Sequence, residues 1–131
     1  MKSFSKILSA ICVGLFVLLS SSVSFAAEQT FDRASFDKLI AEGKPVVVDF
    51  YADWCPTCKA QQPSVTALAS DPRLKAVTIF KADYDKEKEL KKLLRISQQS
   101  TFVVFKGGKE VARSTGQTKK QDIDALFSKA L

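Results

Sequence analysis

The stretch Val46-Val47-Val48-Asp49-Phe50-Tyr51-Ala52-Asp53-Trp54-Cys55-Pro56-Thr57-Cys58-Lys59 constrains the fold more than any other part of the chain. It opens as an apolar, β-branched run, the pattern of a buried strand. It turns through a short polar and aromatic corner and ends in two cysteines at C-x-x-C spacing, the second followed by a lysine and a helix-forming segment. Unpaired N–H groups at a helix start favour negative charge, so a strand that feeds such a pair into the first turn of a helix suits thiol–disulfide exchange. A bare C-x-x-C says little; its place between strand and helix gives it weight.

The flanking sequence alternates strands and helices. Gln29-Thr30-Phe31 reads as a short edge strand. Asp32 is placed to cap a helix running to about Glu42 with Phe36, Leu39 and Ile40 on one face, and Gly43 stops it. After Cys58 a helix continues through Pro63, where a backbone donor is lost and a kink is expected, with Val65, Leu68 and Ala69 facing inward. Val77–Asp83 reads as a strand and Lys86–Arg95 as a helix burying Leu90, Leu93 and Leu94. Thr101–Lys106 is a strand that Gly107-Gly108 turns into Glu110–Arg113 as a hairpin. Thr118 and Gln121 fit a capping box for a last helix with Ile123, Leu126, Phe127 and Ala130 on its inner face. The order β-α-β-α-β-α-β-β-α implies a partly parallel sheet covered on both sides.

Met1–Ala26 has the make-up of a secretory signal peptide: Lys2 and Lys6, an apolar run from Ile7 to Leu19, and Ser24-Phe25-Ala26 as a cleavage site. The remainder, residues 27–131, makes one domain. An uncleaved membrane anchor is the other reading of the leader, but its apolar run is short of the ~20 residues a span needs. Of the 20 basic residues in the chain, Lys2 and Lys6 leave with the leader, so 18 stand against 14 acidic ones, a net charge of +4. They are scattered among acids, which excludes a nucleic-acid footprint. Cys12 lies in the leader, so Cys55 and Cys58 are the cysteines of the domain. A disulfide closed over two residues constrains the unfolded chain little, and with no histidine in the chain a four-ligand zinc site of the usual soft donors is out of reach.

Asp49, Trp54, Cys55, Cys58 and Lys59 together resemble the active-site segment of the thioredoxin superfamily. Tyr51-Ala52-Asp53-Trp54-Cys55 is most similar to the periplasmic thioredoxin-like domain of transmembrane thiol:disulfide interchange reductases. The likeness runs from about Gln29 to Leu131. It implies an α/β thioredoxin fold, a central mixed β-sheet flanked by helices on both faces. It also implies a thiol–disulfide oxidoreductase that needs no cofactor beyond a redox-active Cys55–Cys58 disulfide.

The site follows from both sources. Cys55, at the helix start, is the partly exposed attacking thiol, and Cys58, one turn deeper, resolves the mixed disulfide; the resemblance implies the same roles. Thioredoxins commonly carry Gly-Pro between the cysteines. Here Pro56 suits the first helical position, and Thr57 keeps its N–H, so Cys55 as N-cap is expected to receive bonds from both Thr57 and Cys58. On that expectation Cys55 is more acidic, and the couple more oxidising, than at a Gly-Pro site. Asp49 interrupts an apolar strand, where desolvation raises a carboxyl's pKa toward that of a useful proton acceptor. The resemblance implies that role toward Cys58, with Lys81 as partner of Asp49. Trp54, Pro56 and Thr57 belong to the substrate-facing surface. So does the loop Gln99-Ser100-Thr101, where the family places a cis-proline and this chain has Ser100; a cis bond before a non-proline costs ~3 kcal/mol, so a trans Gln99–Ser100 bond is expected.

These features point to a periplasmic reductase of disulfides in cysteine-containing exported proteins, supplied with electrons by a transmembrane thiol reductase. Two readings stand beside it: an oxidant or isomerase, and a non-catalytic adaptor or chaperone on the same fold.

Overall fold

The computed structural model describes residues 28–131. The leader, its cleavage site and Cys12 lie outside the described residues. In chain order the elements are β1 (Glu28–Thr30), α1 (Arg33–Ala41), β2 (Val46–Tyr51), α2 (Pro56–Ala69), β3 (Thr78–Asp83), α3 (Lys88–Leu94), β4 (Thr101–Lys106), β5 (Lys109–Thr115) and α4 (Lys120–Phe127), with 3₁₀ turns at Pro72–Leu74 and Ser128–Ala130. No described helix is long and apolar enough to cross a membrane.

The five strands lie in the order β1-β3-β2-β4-β5. β3 runs parallel to both β1 and β2, while β4 is antiparallel to β2 and to β5. The α/β thioredoxin fold expected from sequence is the fold observed. β2 is the central strand because each of its faces is apolar: Val47 joins Val65, Leu68, Ile123 and Phe127 beneath α2 and α4, whereas Val46, Val48 and Phe50 join Phe36, Phe80 and Leu90 on the α1 and α3 side. The two-residue period of a strand divides one run of sequence between two cores. Asp49 falls in phase with Val47, so it sits under α2.

Local chemistry accounts for most boundaries. The Asp32 carboxylate accepts the Ser35 N–H at 2.8 Å, which caps α1. The Gly107-Gly108 hairpin has positive φ at both residues, 60° and 79°, as a two-residue turn between twisted strands requires. A Cβ on Gly108 would meet the Ile40 carbonyl oxygen at 3.0 Å, whereas one on Gly107 would meet nothing within 4 Å. Gly107→Ala is therefore expected to cost only the left-handed backbone penalty of about 1 kcal/mol, and Gly108→Ala about 1 kcal/mol more, read as the difference in urea midpoint.

Three expectations need correction. Leu93 is 53% exposed rather than buried, because α3 has only seven residues and touches the sheet face chiefly through Leu90, with Leu94 partly buried beside it. The last helix begins at Lys120 with Lys119 at its N-cap position and no side-chain cap, so Thr118 and Gln121 form no capping box. The first strand is Glu28–Thr30, one residue earlier than read; Phe31 follows it, its N–H still donating to Lys81 O at 2.9 Å while its ring packs against Phe36 and Phe80.

Candidate active site

β2 ends at Tyr51, and the chain passes through Ala52-Asp53-Trp54 before α2 starts at Pro56. Cys55 is the N-cap residue of α2, in extended conformation, and its Sγ accepts the Cys58 N–H at 3.0 Å. Pro56 occupies the first helical position, where its missing N–H leaves no bond unmade. Cys55 and Cys58 form a disulfide, with their Cα atoms 5.3 Å apart. Pro63 lies inside α2 without ending it.

Two expectations about Cys55 change. It is not partly exposed: in the disulfide state Cys55 is 1% and Cys58 0% accessible, packed with Ala52 and flanked by Tyr51 and Tyr84. Burial therefore does not distinguish the two sulfurs; the helix N–H aimed at Cys55 does. It also receives one capping bond, from Cys58, and the expected second from Thr57 is not made. The single bond gives no structural support to the expectation that Pro56-Thr57 makes Cys55 more acidic than Gly-Pro would.

Asp49 is buried on β2, paired in register with Lys81 on β3. Desolvation pushes its carboxyl up to about 7, the nearby Glu28 carboxylate adds to the rise, and the Lys81 ammonium opposes it. Asp49 and Lys81 make no direct ion pair. Lys81 Nζ donates to Gln62 Oε1 at 3.1 Å and lies 3.7 Å from the centre of the Tyr51 ring, while Gln62 Nε2 lies 3.4 Å from Asp49 Oδ2. Asp49 Oδ1 has no hydrogen-bond partner. Lys81 and Tyr51 also line an open cleft of about 490 Å³, so the cluster borders solvent there.

On the rim of that cleft Trp54 is 57% exposed, its indole N–H donating to Asp85 Oδ2 at 2.8 Å. Pro56 is exposed, and Thr57 and Gln99 are half-buried. Ser100 stands at the family's proline position; the described peptide bonds are all trans, and its φ is 57°. That left-handed conformation costs a serine about 1 kcal/mol and is held by three bonds. The Ser100 N–H donates to Phe50 O at 2.9 Å, and its carbonyl accepts from Gly116 N at 2.9 Å and from Gln61 Nε2 at 3.2 Å. Phe50 O is also 4.0 Å from Cys58 Sγ, which ties this loop to the sulfurs through one carbonyl. Thr101 is buried with its hydroxyl 2.9 Å from Gln98 O and 2.7 Å from Thr115 Oγ1, so its side chain is committed inside the fold.

Sequence reasoning missed Gln61, Gln62, Glu28 and Asp85. The two glutamines had a signal: they stand three and four residues after Cys58, on the inward face of an otherwise apolar helix stripe. Gln61 is buried and its Nε2 also donates to Gln117 O at 2.8 Å, joining two loops beside the site. Glu28 and Asp85 reach the site only through the fold and had none. Among the described residues no group of three or more His, Cys, Asp or Glu side chains could hold a metal ion.

Comparison with known proteins agrees with this geometry. Residues 27–129 match the Thioredoxin family model. The chain is 39% identical over 101 residues to the thioredoxin of Chlamydia trachomatis serovar D, covering 77% of this chain and 96% of that protein. It is 38% identical over 87 residues to thioredoxin-1 of Saccharomyces cerevisiae, covering 66% and 82%. Among solved structures it is similar to Trxlp from Edwardsiella tarda EIB202, with a TM-score of 0.73 at 39% identity, covering 76% of this chain and 98% of that one. The match covers most of the length of each of these relatives, and this chain, with its Cys55–Cys58 disulfide, belongs to the thioredoxin family of thiol–disulfide oxidoreductases.

Proposed function

We propose that this thioredoxin-type enzyme works outside the cytoplasm, reducing disulfides in exported proteins through its Cys55-Pro56-Thr57-Cys58 dithiol. The observation that carries the mechanism is Asp49, a buried carboxyl pushed to about 7 on the strand that leads into the cysteine pair. A group that titrates near neutrality can take a thiol proton and return it to solvent within one cycle.

In the reduced enzyme the Cys55 thiolate, favoured by the N-terminus of α2, attacks one sulfur of a substrate disulfide and releases the other as a thiolate. Cys58 then gives its proton to Asp49, and its thiolate attacks Cys55 Sγ. The bond between Cys55 and the substrate breaks, and the second substrate sulfur leaves. Lys81 and Gln62 hold the cluster around the proton acceptor. Trp54, Pro56, Thr57 and Gln99 form the rim on which the substrate chain rests, and the buried Ser100 shapes the loop beneath it. The enzyme ends with the Cys55–Cys58 disulfide and needs two electrons from a donor dithiol. The signal-peptide make-up of residues 1–26 supports a site of action beyond the membrane, where a transmembrane thiol reductase is the proposed donor.

The direction rests on the likeness of Tyr51–Cys55 to reductase domains and on the single capping bond to Cys55. Couples become strong oxidants when their thiolate is heavily stabilised, and one N–H does less of that than two. The test has two parts. The purified protein should accelerate insulin reduction by dithiothreitol; no acceleration would leave the adaptor reading in its place. Alkylation of intact cells should find Cys55 and Cys58 mostly reduced, and oxidised when the membrane donor is absent; a pool that is oxidised throughout overturns the reductase direction in favour of an oxidant.

A further inference from the structure

The cluster around Asp49 contains a second carboxylate that this proton-transfer scheme does not use. Glu28 stands on β1 opposite Ile79, in phase with Lys81 on the sheet face covered by α2, the face that also holds Asp49. One side chain joins all three groups. Gln62 Nε2 lies 3.4 Å from Asp49 Oδ2 and 3.5 Å from Glu28 Oε1, and Gln62 Oε1 accepts from Lys81 Nζ at 3.1 Å. The chemistry of the partners sets the orientation of this amide, since carboxylates only accept and an ammonium only donates. Its two N–H bonds therefore go to two different carboxylates.

Those carboxylates differ in exposure. Asp49 is buried and Glu28 half-buried at the sheet edge. Two carboxylates sharing one neutral donor repel each other when both are charged, and the drier one yields first. We propose that Glu28, held against Asp49 through the shared Gln62 amide, is a positioning residue that sets the proton affinity of Asp49. An ionised Glu28 makes Asp49 a stronger proton acceptor when Cys58 must lose its proton. The groups facing Asp49 are Glu28 from β1, Lys81 from β3 and Gln62 from α2; across β4 its register partner is the apolar Phe102. Tyr51, on its own strand, carries the Lys81 ammonium over its ring. Both long contacts to Gln62 are weak as hydrogen bonds, so the influence of Glu28 is chiefly that of its charge.

The consequence for the enzyme rests on the reading of Asp49 as acceptor of the Cys58 proton, and the experiment separates the two. The Asp49 carboxyl carbon is followed by NMR across pH in the reduced protein, for the native chain and for Glu28→Gln, Glu28→Asp and Gln62→Glu. Removing one nearby like charge should lower the Asp49 midpoint by about half a pH unit or more, and adding one in Gln62→Glu should raise it by a similar amount. Glu28→Asp should keep the native midpoint to a large extent, which a merely structural role of the glutamine would not mimic. An Asp49 midpoint that stays put in both Glu28→Gln and Gln62→Glu overturns the proposal. The rate at which mixed disulfides are resolved is measured on the same proteins. A rate profile that ignores a shifted Asp49 midpoint counts against Asp49 as acceptor, while the hold of Glu28 on Asp49 stands on the NMR alone.

Discussion

Asp49→Asn will give a chain that is more stable above neutral pH and slower at resolving mixed disulfides. The native Asp49 pKa is raised from 3.8 to about 7 by burial first and by Glu28 second, with Lys81 working against them. A raised carboxyl pKa means that between pH 4 and 7 the folded state holds a proton that the unfolded state has lost. Stability therefore falls as pH climbs through that window, and above it the full cost of burying the charge is present. The span of about three units corresponds to roughly 4 kcal/mol. Asparagine removes that cost while remaining able to meet Gln62. The difference in urea unfolding free energy between variant and native chain should be small at pH 4, grow through pH 5 and 6, and level off above pH 7. A constant difference across this range would mean that Asp49 does not change its charge there. On the kinetic side, proton transfer by a positioned group is worth at least about 100-fold. Resolution of a Cys55-linked substrate at pH 7 should slow by about that factor, while the alkylation rate of Cys55 changes far less. Unaltered resolution would remove Asp49 from the mechanism.

The second large effect is expected from Cys58→Ser. Residues 27–131 contain only two cysteines. With Cys58 gone, no thiol of the domain can attack Cys55 Sγ, and a serine hydroxyl does not do so at neutral pH. Each encounter with a substrate disulfide should stop at the Cys55 mixed disulfide, and its decay should take minutes to hours, the pace of unassisted disulfide rearrangement. Multiple turnover in the insulin assay should vanish, and a covalent adduct that thiol reagents release should accumulate on non-reducing gels. The fold should tolerate the change, since a bridge over two residues contributes little chain-entropy stabilisation. The serine keeps its backbone N–H, which is the group that caps Cys55. Sustained turnover by this variant would show that Cys55 and Cys58 do not act as attacker and resolver.

Gly108→Ala, Glu28→Gln and the insulin assay probe separate layers of the same account. The first tests a turn that α1 overlies through the Ile40 carbonyl, far from the sulfurs. The second tests a charge at the sheet edge, and the third tests the chemistry itself.

What the sequence determined alone is whatever depends on short range. The apolar phase of Val46–Tyr51, the Asp32 cap, the Gly107-Gly108 turn and the Cys55–Cys58 spacing each specify local geometry through neighbours within a few residues, and each stands where it was read. The interruption of β2 by Asp49 was legible for the same reason, because alternation puts it in phase with Val47; that this face lies under α2 came from the fold. Tertiary structure decided what depends on contacts between distant segments. Local preference would have allowed Leu93 to be buried and Thr118 to cap α4; the seven-residue α3, which meets the sheet chiefly through Leu90, and the entry of the chain into the last helix ruled otherwise. The closed disulfide and its packing against Ala52 and the tyrosines hid a sulfur expected at the surface. The proton affinity of Asp49 belongs to this second group as well, because Glu28, Gln62 and Lys81 come from three different elements and meet it only when β1, β3 and α2 are assembled around β2. Charge and desolvation act over distances in space, and the spacing of residues along a chain does not encode them.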